Sequence, residues 1–239
     1  MPAQTLGFSH FIGQADALGK FLLVVLLLMS IASWYLIVTK AIRGSIERRR
    51  SARFLHFFWN ATSLDEVRNA VIQHHPEEPF SHLAHHAIFA REHHARFGAS
   101  RLEEAGTAPE FLTRTIRKVI DEETAKQESG LTVLASVGAT APFVGLFGTV
   151  WGVYHALVSI GMSGAGTLDK VAGPVGEALI MTGVGLAVAI PAVLGYNFIV
   201  RSNRVVSAKL DAFAHDLYAF LTTGAQFIGA PPVKLAKGA

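Results

Sequence analysis

Glu177, Thr149 and Thr182 can take, hold or pass a proton, and all three stand in long apolar stretches. Glu177 is the one charge between Lys170 and Arg201. An ionisable side chain inside an apolar span is costly, roughly 2.5–3.5 kcal/mol on insertion scales for Asp, Lys or Arg at mid-helix. No Lys or Arg in a span is available to pair with it. Counted inward from Val171 it lies six residues deep, ~9 Å along a helix. Desolvation there favours the neutral acid, which makes Glu177 a candidate proton acceptor. The alternative is an interfacial carboxylate that snorkels outward or is tied up structurally. Thr149 lies eleven residues from residue 160, and Thr182 eleven residues from residue 171. On antiparallel helices the two hydroxyls share one depth, ~16 Å in. In a ring of copies they form a belt of hydroxyls below a belt of carboxylates. The alternative is that each threonine bonds its own i−4 carbonyl.

The elements that must carry these residues follow from charge placement. Of 239 residues, 51% are hydrophobic and 16% charged, against ~25% charged in a soluble domain. Mean hydropathy is +0.37. There are 19 uncharged residues between Lys20 and Lys40, and 40 between Glu128 and Asp169. Such stretches are transmembrane candidates. The 40-residue stretch is too long for one crossing, at ~60 Å against a ~30 Å hydrocarbon core. Gly161-Met162-Ser163-Gly164-Ala165-Gly166 reads as the turn that divides it. The expected order is an outer segment 1–20, a first span 21–40, a cytoplasmic helical loop 41–129, a second span 130–160, a short outer loop 161–170, a third span 171–200 and a cytoplasmic tail 201–239. Direction follows from the 21 Lys and Arg, of which only Lys20 and Lys170 fall on one side. The positive-inside rule places the other side in the cytoplasm. Arg48, Arg49 and Arg50 crowd the exit of the first span and suit anionic lipid headgroups better than nucleic acid. This holds although the isoelectric point is 9.3.

Between the spans the chain reads as helix. Ser63 to Glu66 and Thr107 to Glu110 match capping boxes, the second with Pro109 in the first turn. From Thr107 the helical period continues to Gly130, which predicts one helix running straight into the second span. After the third span, Val206, Leu210, Phe213, Leu217 and Phe220 predict an amphipathic continuation ending near Gly224. Seven histidines fall between His74 and His94. His82 and His86 have an i, i+4 spacing that can chelate a metal. The reading adopted is a solvated helical surface, with no metal site. His155, in the second span, reads as a packed or pore-proximal polar residue.

Small residues crowd the second and third spans, with Gly145, Gly148 and Gly152 in one and Gly183, Ala187, Pro191 and Gly195 at a four-residue period in the other. In membranes such residues let backbones approach closely. The first span is bulky and lies outermost. Three spans cannot enclose a pore, so several copies form a ring. The alternative is glycines that pack one hairpin within a monomer.

Val144-Gly-Leu-Phe-Gly-Thr-Val-Trp-Gly-Val-Tyr-His155, Ala172 to Thr182 and Gly185 to Asn197 resemble the signature spans of the MotA/TolQ/ExbB proton-channel family. The ExbB branch is most similar and TolQ next. MotA-type stators usually have four spans and fit less well. The resemblance implies a pentamer around the single transmembrane helices of an ExbD-type partner. That partner carries an essential membrane Asp and couples the proton gradient to a TonB-type protein. The resemblance also implies pore-lining roles for Thr149, Glu177 and Thr182. The histidine-rich loop departs from the family pattern.

The sequence thus reads as an all-α polytopic membrane protein. It has three transmembrane helices, two of them extending as long helices into the cytoplasm, in a ring-like homo-oligomer. The expected function is an ExbB-like proton-channel subunit that energises TonB-dependent outer-membrane transport. A TolQ-like subunit and a scaffold without an ion path are the alternatives. No Walker A, GxSxG or metal-hydrolase motif occurs, so an enzyme is not expected and no cofactor is implied. Without cysteine there are no disulfides or thiolate ligands.

Overall fold

The computed structural model describes residues 16–73, 78–97, 107–163 and 168–223. Six helices run through them: α1 (Ala17–Asn60), α2 (Leu64–Gln73), α3 (Pro79–Phe97), α4 (Ala108–Glu128), α5 (Leu131–Ser163) and α6 (Leu168–Thr223). No strand occurs among the described residues. Three helical stretches are long and apolar enough to cross a membrane: Ala17–Asn60, Ala108–Met162 and Ala178–Thr223. At 44 and 56 residues, α1 and α6 are each well over the length of one crossing.

Local chemistry sets the helix starts. Asp16 accepts the Gly19 N–H at 2.7 Å and caps α1. Ser63 accepts the Glu66 N–H at 3.2 Å at the start of α2, while Glu66 reaches back to the Thr62 N–H at 2.9 Å. Thr107 gives its N–H to Glu110 at 2.9 Å, the reciprocal half of a capping box at α4. Glu78 caps α3, with Pro79 at the position where a missing N–H does no harm.

The helix expected to run from Thr107 into the second span is interrupted. α4 ends at Glu128, and Gly130 takes φ +78° before α5 begins at Leu131. Glycine enters this left-handed conformation without a Cβ clash, and it ends helices for that reason. The expected turn at 161–166 also differs: residues 161–163 are the last of α5, and 164–166 lie outside the described residues.

The chain forms two compact units, Met1–Ile42 with Ser129–Arg201, and Arg43–Glu128 with Ser202–Ala239. In the first, α5 and α6 pack antiparallel. A Cβ added at Gly145 would lie 2.6 Å from the Met181 carbonyl oxygen, and one added at Gly152 would lie 2.9 Å from Ala178 Cβ. α1 lays Leu36 over Gly130 and Ile37 over Gly195. Leu22, Leu26, Leu134, Ala141, Met181 and Ala192 form the core. The outward face is apolar as well, with Phe21, Leu28, Ile31, Phe143, Leu194 and Phe198 exposed. In the second unit α6 ends among aromatic rings. Phe213 packs on Phe58 at 5.0 Å and on Phe80 at 5.6 Å. Leu83, Val119, Leu210 and Leu217 fill the rest of that core. The heptad-like residues of the tail thus bury Leu210, Phe213 and Leu217.

Candidate functional site

Close packing of α5 on α6 brings two hydroxyls together. Gly145 lies one turn before Thr149, and Gly148 sits against Met181. With no side chains in the way, Thr149 Oγ1 comes within 2.5 Å of Thr182 Oγ1. Thr149 is buried and Thr182 half-buried. Thr149 Oγ1 also lies 3.1 Å from the Gly145 carbonyl oxygen on its own helix, and 3.1 Å from that of Ala178 on the other. The i−4 contact and the interhelical contact therefore coexist.

A hydroxyl has one proton and two lone pairs. Thr149 has two carbonyl acceptors within reach. When it donates to one of them, its oxygen can only accept from Thr182. The Thr182 proton is then committed to Thr149, and the Thr182 oxygen offers only lone pairs to its open side. Such an oxygen receives an O–H group from water or from a protonated carboxylic acid. It has nothing to donate to a carboxylate.

Residue 177 lies within α6, beside Ala178, which packs against Gly152 one turn from Thr149. The Glu177 side chain lies outside the described residues. Of the small residues singled out in the sequence, Gly145, Gly148, Gly152 and Gly195 make close contacts. Gly183 has nothing within 4 Å of where its Cβ would be. Ala187 is exposed and Pro191 half-buried. The residues of α6 that meet α5 are Ala178, Met181 and Gly185, and a Cβ added at Gly185 would lie 2.7 Å from the Ala141 carbonyl oxygen. A period of three and four from Ala178 would have picked them out, where a strict period of four from Gly183 did not.

A second polar link was missed. Trp151 donates its indole N–H to Asp16 Oδ2 at 2.6 Å, and the His155 ring lies 4.4 Å from the Trp151 ring. His155 itself is exposed. The spacing of Asp16 and Gly19 signals only the helix cap, and nothing local points to Trp151. Ser33 of α1 is 1% exposed, and its hydroxyl has no hydrogen-bond partner. Arg48, Arg49 and Arg50 are exposed, and Arg48 donates to the Ser202 hydroxyl. In the histidine-rich segment, His74 and His75 lie outside the described residues. Among the described residues no group of three His, Asp or Glu is placed to hold a metal.

Three apolar helices with a hydroxyl pair between two of them describe a membrane protein with a polar contact inside its helix packing. The profile of the MotA/TolQ/ExbB proton channel family matches residues 83–212. The chain belongs to that family. It is 44% identical to the biopolymer transport protein ExbB of Xanthomonas campestris pv. campestris, over 92% of this chain and 90% of that one. It is 43% identical to the protein of the same name from Neisseria meningitidis, over 86% and 92%. The Tol-Pal system protein TolQ of Pseudomonas aeruginosa is 30% identical over 88% and 90%. The resemblance to ExbB therefore exceeds that to TolQ, as the motifs indicated.

Proposed function

We propose that the chain is the channel subunit of an ExbB-type complex, a pentamer in the bacterial inner membrane. It surrounds the single span of an ExbD-type partner and passes protons inward to drive a TonB-type protein. Residues 1–20 face the periplasm, and the loop 41–129 and the tail face the cytoplasm. The observation that carries this reading is the Thr149–Thr182 pair, a buried hydroxyl held 2.5 Å from a half-buried one. Its polarity suits a protonated carboxyl on the partner span, with Glu177 as the acceptor nearer the periplasm. The exposed Gly183 and Ala187 suit close approach by another helix of the ring. Arg48, Arg49 and Arg50 meet lipid headgroups.

The test is Glu177→Ala in cells lacking the wild-type chain. Expected is loss of TonB-dependent uptake, with the oligomer still recovered by cross-linking. Full uptake by this variant overturns the role. A second reading, a scaffold whose threonines only join helices, has the two carbonyl contacts of Thr149 in its favour. It predicts that Glu177→Ala and Thr149→Val lose the oligomer together with activity. A TolQ-type role predicts that deletion is complemented by a TolQ protein in outer-membrane integrity assays and leaves TonB-dependent uptake unchanged.

A further inference from the structure

Three histidines of α3, outside the proton path, cluster where one of them, His82, meets a buried carboxylate of α4. His82 and His86 have ring centroids 4.7 Å apart, and His85 lies 5.3 Å from His86. His85 also leans on the Phe89 ring at 4.5 Å. Glu123 of α4 is 7% exposed. Its Oε1 is 2.9 Å from His82 Nδ1, at ion-pair distance though not aligned as a hydrogen bond, and 2.6 Å from Lys126 Nζ. Glu122 and Lys118 of α4 act on His86 with opposite sign. Further along α3, Glu92 pairs with Arg68 of α2 at 3.1 Å.

Glu123 with Lys126, and Glu122 with Lys118, thus stand on α4 before three imidazoles. A proton on His82 faces Glu123. A proton on His85 Nδ1 has no such counterpart, because that atom is buried without a hydrogen-bond partner, and the charged neighbour acting on the ring is His82. A proton on His86 stands 4.7 Å from the His82 ring. We propose that His82, His85 and His86 form with Glu123 a proton-sensitive latch between α3 and α4, which holds while His85 and His86 are neutral and is forced open when they take up protons.

Burial, and then the charge of His82, hold His85 and His86 below their ordinary 6.5. The opened seam therefore binds more protons than the closed one. The stability these two residues contribute is complete above pH 6.5 and is lost as pH falls below it toward their lowered values. The latch does not depend on the channel reading. The orientation proposed above adds only that the compartment sensed is the cytoplasm, where protons are delivered.

Hydrogen exchange on the full-length protein in lipid nanodiscs tests this, corrected for intrinsic rates, between about pH 7.5 and about pH 5.5, one unit either side of free imidazole. Protection of 79–97 and 108–128 is expected to fall several-fold at the lower pH, while that of 131–163 holds. In the double variant His85→Gln/His86→Gln, the fall disappears. Equal protection of the wild type at both pH values overturns the latch, and so does an equal fall in the variant. A proton NMR titration gives a second check. His85 and His86 must titrate below 6.5, and titration at or above that value overturns the proposal.

Discussion

The two units close their cores by opposite means. In the unit of α5 and the first part of α6, the contacts are made by what is missing: Gly145, Gly152 and Gly185 let backbone meet backbone. In the other unit the contacts are made by bulk, with Phe58, Phe80 and Phe213 stacked at its centre. The polar groups differ in the same way. The first unit buries the Thr149 hydroxyl. The second buries the carboxylates Glu78 and Glu123. The difference follows from the solvent. Lipid tails are as apolar as leucine, so burying leucine gains little there, and helices associate through close fit and hydrogen bonds. In water, burial of an aromatic ring is itself the driving force, and carboxylates can be buried where helix starts and cations hold them.

Substitutions can break or sharpen this contrast. The largest effect is expected from Gly145→Val and Gly185→Val. Each would drive a side chain into opposing backbone, at 2.6 and 2.7 Å for the first carbon alone. Overpacking costs about 1–3 kcal/mol, and more where backbone cannot yield. Folded protein recovered by size-exclusion chromatography in detergent should fall sharply for both. Gly183→Ala, with open space at that site, should leave the fold of the chain intact in the same assay. Glu78→Ala is next. It strips an acceptor from the Ser51 hydroxyl at 2.7 Å and from the N–H groups of Phe80 and Ser81 at 3.0 and 2.6 Å. A loss of about 2 kcal/mol or more is expected, read as faster hydrogen exchange in 79–97 with 131–163 unchanged. Ser63→Ala should cost about 1 kcal/mol in α2, visible in the same exchange experiment. Smallest is Ser33→Ala. It removes a buried hydroxyl without a partner, so thermal stability in detergent should stay level or rise slightly.

Much of this was legible because membrane helices carry coarse signals. Uncharged length marked the spans, and the depth count from each loop end brought Thr149 and Thr182 to one level before any contact was known. Glycine in the left-handed region was not legible, because Gly130 sits in a sequence that otherwise continues a helical period. The face of α6 that meets α5 is not the one that carries Gly183, and the small-residue period did not single it out. Two small-residue rows run along that helix, and composition cannot say which one faces inward. The Asp16–Trp151 link joins residues 135 positions apart, a distance no local pattern bridges. The role of the histidines depended on where Glu123 points, which only packing of α3 on α4 decides.

The central claim is that the Thr149–Thr182 pair handles protons rather than merely joining helices. It is tested most directly by proton uptake into proteoliposomes that hold the chain co-purified with its single-span partner, comparing Thr182→Ser with Thr182→Val. Serine keeps the hydroxyl, and valine keeps the shape without it. Uptake near the wild-type rate with serine, and its loss with valine in an oligomer of unchanged size, is the predicted result. Wild-type uptake by Thr182→Val would contradict the account.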